Sequence, residues 1–232
     1  MIFQMMPGIG EQYVPVWVRL GIAIAVTLII FPLIVATLPG MPATVPAFVM
    51  LVIGEIVIGI LIGSIARITI SALHTAGTII AFQTSLAYAQ TVDPNQDTQA
   101  GLVAAYLNLL GVMAIFFSGL HFLLIIAVLD SYQLFPPGQS PIAGDLADAV
   151  IRLVSQSFAI GLQMASPFVV YGIMFYLGLG LLQRLMPQIQ LFFIAIPLQL
   201  FLGFVMLMLI TSASMMWFLE HFQSVTSILV AN

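Results

Sequence analysis

The chain has 232 residues, of which 62% are hydrophobic and only 5% charged, and its mean hydropathy is +1.21. A soluble domain carries roughly 25% charged residues, so this sequence cannot clothe a water-facing surface and reads as an integral membrane protein or a chain buried in a larger assembly. A net charge of −4 excludes the basic patch that nucleic acid requires, and the absence of cysteine excludes disulfides, thiolate metal sites and a cysteine nucleophile.

The opening run Met1-Ile2-Phe3-Gln4-Met5-Met6-Pro7 lacks a positive leader and reads as the tail of an apolar helix. The expectation is either a truncated first helix or a misassigned start codon. A membrane helix needs about 20 apolar residues, and the first full candidate runs from Val18 to Leu38, with a kink expected at Phe31-Pro32. Val45 to Ile65 follows, closed by Arg67. A separate, less hydrophobic helix is expected over Ile68 to Tyr88, carrying His74, Gln83, Thr84 and Ser85 on a face turned to protein or water.

The segment Gln90 to Gln99 is the most polar loop, and its Asp93-Pro94-Asn95 is a turn signal, since proline presets φ and Asp and Asn bond the local backbone. Leu102 to Leu129 is long enough to span, but Ser118-Gly119-Leu120-His121 interrupts it. One long helix and two short helices joined by a re-entrant bend both fit. A second loop occupies Asp130 to Asp148. Ala147 to Leu182 reads as a long helix with Pro167 inside it, and Leu191 to Leu219 is the last apolar run. The whole forms a single membrane domain over 1–232, with polar loops near 89–101 and 130–147.

Between the last two runs lies the most informative stretch, Gln183-Arg184-Leu185-Met186-Pro187-Gln188-Ile189-Gln190, which continues through Pro197 to Gln199. It places one arginine, four glutamines and two prolines where lipid tolerates none unpartnered. Such a break lines a cavity or packs on protein.

Few residues could carry chemistry. Glu55 stands alone in an apolar run, where a mid-bilayer charge costs about 2.5–3.5 kcal/mol on insertion scales. It is either a pore or proton-path carboxylate, or a group buried against a neighbouring subunit. Arg67, twelve residues on, lies about 18 Å further along a helix, so neither can satisfy the other. Gly59 and Gly63 form a GxxxG that permits close helix approach. His74, His121 and His221 lie in separate segments without metal-ligand spacing, and hydrogen-bonded buried rings are expected at His74 and His121. No GxSxG serine context and no phosphate loop is present, so neither a catalytic site nor a cofactor is expected.

Several patches together resemble the FliR/SctT family of type III export-gate subunits. They are Pro7-Gly8 through Val14-Pro15 to Arg19; Gly54-Glu55 to Gly59; Ala76-Gly77 with Gln83, running to Asp93-Pro94; Phe116-Phe117-Ser118-Gly119-Leu120-His121; Ser131-Tyr132 with Pro136; and Arg184-Leu185-Met186-Pro187-Gln188-Ile189 with Phe192-Phe193 and Pro197-Leu198. Their order and spacing hold from about residue 5 to 220.

The resemblance implies an all-α chain of membrane-type hairpins with Pro/Gly-broken helices. It implies a non-enzymatic subunit of a helical pore assembly in the bacterial inner membrane, at the flagellar basal body, with the assembled core raised out of the bilayer plane. Its implied partners are P-type and Q-type subunits (FliP and FliQ), a FliB-type subunit and unfolded secreted polypeptides. By the same resemblance, Phe116, Phe117, Ser118, Gly119, Leu120 and His121 form a pore plug. Glu55, Arg67, Gln83, Arg184, Pro187 and Gln188 are expected at subunit interfaces or as buried polar groups. Two other classes fit the residues alone: a transporter of small molecules or ions with a midplane site, and an intramembrane enzyme using His or Glu.

Overall fold

The computed structural model describes residues 2–11, 14–35, 37–87, 101–137, 143–186 and 191–230. Among them there are helices and no strand: α1 (Ile2–Met5), α2 (Val16–Ile34), α3 (Val45–Gln83), α4 (Leu102–Phe117), α5 (His121–Leu134), α6 (Ala143–Leu185) and α7 (Leu191–Ser227). The chain is all-α. Helices α2, α3, α6 and α7 are each long and apolar enough to cross a membrane, and the bent pair α4–α5 would make a fifth span.

Two differences from the sequence reading concern α3. The drop in hydropathy at Arg67 does not end a helix. Arginine is a good helix former, and α3 runs unbroken for 39 residues, about 58 Å at 1.5 Å per residue. It then stops at Gln83, short of the expected Tyr88, for a reason that lies in its tertiary contacts. Of the two readings open for Leu102 to Leu129, the structure has the two helices joined by a bend after Phe117. Pro32, Pro167 and Pro197 all stand inside helices.

The chain forms two compact units. The first comprises Met1–Ile70, Val112–Gln156 and Glu220–Asn232. In it, Ile58 and Ile62 of α3 meet Ala127 of α5 and Leu229, with Ile2, Ile65, Phe135 and Val230 packed around them. Gly63 of the GxxxG lets α1 come close: a Cβ there would lie 2.8 Å from that of Met5. Helix α2 adds little to this core. Ile30 alone of its described side chains is buried, and Trp17 is 83% exposed.

The second unit comprises Ser71–Gly111 and Ser157–Leu219. Its core holds Leu73, Ala76 and Ile80 of α3, Ala104 and Leu107 of α4, Met164 and Phe168 of α6, and Phe218 of α7. Small residues set the helix spacing here. A Cβ on Gly77 would collide with the backbone of Ala104, and one on Gly161 would lie 2.8 Å from the Ala72 carbonyl oxygen. In lipid no hydrophobic gain separates helix contact from chain–lipid contact, so close backbone approach through small residues is what draws such helices together.

Candidate functional site

The bend between α4 and α5 turns the chain by 71°. Gly119 makes it, with φ +75°, a conformation that only glycine adopts freely. The turn satisfies its own backbone. Ser118 N–H donates to the Ala114 carbonyl (2.9 Å), Gly119 N–H to Phe116 (3.2 Å) and Phe122 N–H to Gly119 (3.0 Å). The Ser118 hydroxyl donates to the Ile115 carbonyl at 3.2 Å. A sharp bend can therefore persist without water.

Aromatic rings rigidify the bend. His121 stacks on Phe116 with centroids 4.8 Å apart and lies 4.1 Å from Phe122. Its Nδ1 is enclosed and has no hydrogen-bond partner among the described residues, so ring contact, and not the expected hydrogen bond, holds this side chain. Phe116 also rests on Gly8 (φ +78°), where a Cβ would come within 2.5 Å of the ring. Phe117 does the opposite: it points away from the unit and is 86% exposed.

Glu55 is half-buried and accepts a hydrogen bond from the Tyr132 hydroxyl at 3.2 Å. The bond ties α3 to the far end of α5, 77 residues away in sequence. Arg67 lies on the exposed side of the same helix and is not Glu55's partner, as the helical spacing required. Arg19 has a local task. Its Nε donates to the Val14 carbonyl (2.9 Å) and its Nη2 to that of Glu11 (2.8 Å), pinning the turn that enters α2.

A polar knot lies in the second unit, around Gln199, the last of the four glutamines in the proline-bearing polar stretch. Gln199 of α7 is 2% exposed. Its Oε1 accepts from the Ser85 hydroxyl (2.7 Å), and its Nε2 donates to the Gln83 carbonyl (2.6 Å). Tyr171 donates to the Gln199 backbone carbonyl at 3.3 Å, and Tyr176 lies 3.4 Å from Nε2. The Gln83 side chain packs against Gly172, so close that a Cβ would overlap its Oε1. The sequence marks Gln199, Gln83 and Ser85 as polar groups needing protein or water, but not that they meet one another.

The remaining candidates are scattered. Arg184 is exposed in the last turn of α6, where its charge faces the negative end of the helix dipole. Pro187 and Gln188 lie outside the described residues. His74, expected as a buried hydrogen-bonded ring, is exposed, because α3 turns Ala72, Leu73 and Ala76 inward at this level. Among the described residues no three His, Asp or Glu side chains come together to hold a metal ion. An open depression lined by Pro167, Val170, Tyr171, Met174, Phe175 and Met206 is apolar and carries no charged group.

Residues 1–225 match the model of the family described as bacterial export proteins, family 1. The flagellar biosynthetic protein FliR of Caulobacter vibrioides is 38% identical over 213 residues, covering 91% of this chain and 85% of that protein. The FliR protein of Escherichia coli is 32% identical over 202 residues, covering 85% of this chain and 75% of its own length. The Yop proteins translocation protein T of Yersinia pestis is 29% identical over 201 residues, covering 85% and 76%. An all-helical chain with membrane-length apolar helices, matched along nearly its full length, thus belongs to the bacterial export protein family 1, the FliR/SctT family of type III export-apparatus components.

Proposed function

We propose that this chain is a non-catalytic subunit of the protein-conducting gate of the flagellar type III export apparatus, in the bacterial inner membrane. In this reading it assembles with P-type and Q-type subunits, and with a B-type subunit, around a conduit for unfolded polypeptide. The bend Phe116 to His121 closes that conduit. The observation that carries the reading is the 71° bend, which presents a large apolar ring, Phe117, to the outside, with the rings of Phe116, His121 and Phe122 packed on one another beside it.

The physics of such a plug is simple. An apolar constriction excludes water and ions because a narrow greasy passage dewets. A polypeptide carries its own apolar side chains and can displace the ring, so the same element blocks ions and yields to substrate. The sequence has no phosphate-binding loop, so in this reading the driving energy comes from a partner or from the membrane potential.

Phe117→Ala is the clean test, because an exposed ring can be removed without opening a cavity in the core. Phe116→Ala with Phe117→Ala is the stronger variant. In the reconstituted assembly, both should raise ion conductance at rest while leaving assembly intact. Unchanged conductance in both would rule out the plug.

A further inference from the structure

Helix α3 stops where its sequence gives no reason to stop. Residues 84–88 are Thr-Ser-Leu-Ala-Tyr, with neither glycine nor proline. The chain nevertheless leaves the helix at Thr84 and Ser85, and Leu86 and Ala87 resume helical conformation beyond them. Ser85 takes φ +60°, the only positive value on a non-glycine residue among those described. That region is uncommon for a residue with a Cβ, and helices that end in it mostly use glycine there.

What compensates is the side-chain amide of one distant residue. Gln199 uses both of its ends at this break: Oε1 accepts from the Ser85 hydroxyl, and Nε2 donates to the Gln83 carbonyl. The second bond is decisive. In a helix that ran on, the Gln83 carbonyl would accept from the N–H of Ala87, four residues later. Gln199 occupies that acceptor. A buried amide with both ends used resists loss strongly, because either end left bare inside the protein carries a desolvation cost. Thr84, whose hydroxyl returns to the Ile80 carbonyl at 2.8 Å, closes the last turn without help from beyond it.

We propose that Gln199 is a positioning residue that sets where α3 ends: its amide caps the Gln83 carbonyl and holds Ser85 in the left-handed conformation, in place of a glycine. The break is then an element with two states. With the amide seated, α3 stops at Gln83. With it withdrawn, the helix continues through Ser85. Because Gln199 belongs to α7, two residues after Pro197, a shift of that helix along its axis would reach the end of α3 through this side chain, beside the close packing of Gly203 on Thr84. The inference stands apart from the plug, since its readout is the local backbone and not conductance.

The test is the sign of the Ser85 φ angle, measured by solid-state NMR on the reconstituted full-length chain labelled at the Thr84–Ser85 peptide. The native chain should give a value near +60°. In Gln199→Leu, Ser85 should move to the helical region, near −63°, and the Ala87 amide should exchange more slowly as it gains the Gln83 carbonyl. Adding Ser85→Gly to Gln199→Leu should restore a positive φ at position 85, since glycine needs no side-chain support there. Lost packing at position 199 alone would not be repaired by that second change. If Gln199→Leu does not accumulate, Gln199→Met, closer to glutamine in length and lacking both hydrogen-bonding ends, should give the same move to helical φ. A positive φ retained in Gln199→Leu or in Gln199→Met, or a double variant that stays helical at position 85, would overturn the assignment.

Discussion

Gly77 offers a prediction in which two effects of known size oppose each other. Replacing a mid-helix glycine with alanine stabilises a helix by about 0.8–1.0 kcal/mol. At Gly77 the added methyl would meet the Ala104 backbone, with the amide nitrogen only 2.6 Å away. Backbone cannot rotate aside, so α3 and α4 must separate locally, and overpacking of this kind costs about 1–3 kcal/mol. With main-chain atoms on the far side, the upper part of that range applies, and Gly77→Ala should destabilise by about 1–2 kcal/mol net. Gly178 on α6 is the control. A Cβ there meets nothing within 4 Å, so Gly178→Ala should gain close to the full propensity term, about 0.8–1.0 kcal/mol. The same chemical change should thus have opposite signs at two sites. Equilibrium unfolding of the purified chain in mixed micelles, followed by helix ellipticity, measures both. If Gly77→Ala proves neutral or stabilising, the close approach of α3 and α4 is not the tight contact on which the second unit was argued to rest.

Two further outcomes follow from the polar ties of the first unit. Tyr132→Phe and Glu55→Ala should each lower stability by about 0.5–1.5 kcal/mol, the usual net worth of a hydrogen bond, and their effects should not add in the double variant; additive losses would mean that the two side chains act separately. Arg19→Lys should weaken the turn before α2 nearly as much as Arg19→Ala, because one ammonium cannot reach both the Val14 and Glu11 carbonyls as the guanidinium fork does. Limited proteolysis between Gly8 and Pro15 reads this, and full protection in Arg19→Lys would show that charge alone suffices.

The sequence made the helices legible because apolar runs of membrane length have few other fates. Its errors came at places where distant residues decide. Arg67 looked like a border because hydropathy falls there, yet a charge on the outer face of a helix does not interrupt its backbone bonds. The end of α3 was placed at Tyr88 because nothing local stops it earlier; the stop is an amide 116 residues away from Gln83. Glu55 was recognisable as needing a partner, but periodicity cannot say that the partner is Tyr132. The bend at Ser118-Gly119 was readable as an interruption, and the positive φ of Gly119 makes it a 71° bend between two helices in place of one rod. The candidate plug therefore could be located in sequence, whereas the bracing of its rings by Gly8 could not.

The length of the helices has a consequence for biogenesis. At 39, 43 and 37 residues, α3, α6 and α7 each reach about 55–65 Å, nearly twice the roughly 30 Å of a hydrocarbon slab. A slab of that thickness takes about twenty residues of each rod, so the remainder must lie outside it. On α6 the excess begins with Asp145, Asp148 and Arg152, which water accepts; on α7, where polar groups are fewer, the proposed assembly would have sister subunits sheathe the excess, coupling insertion to assembly.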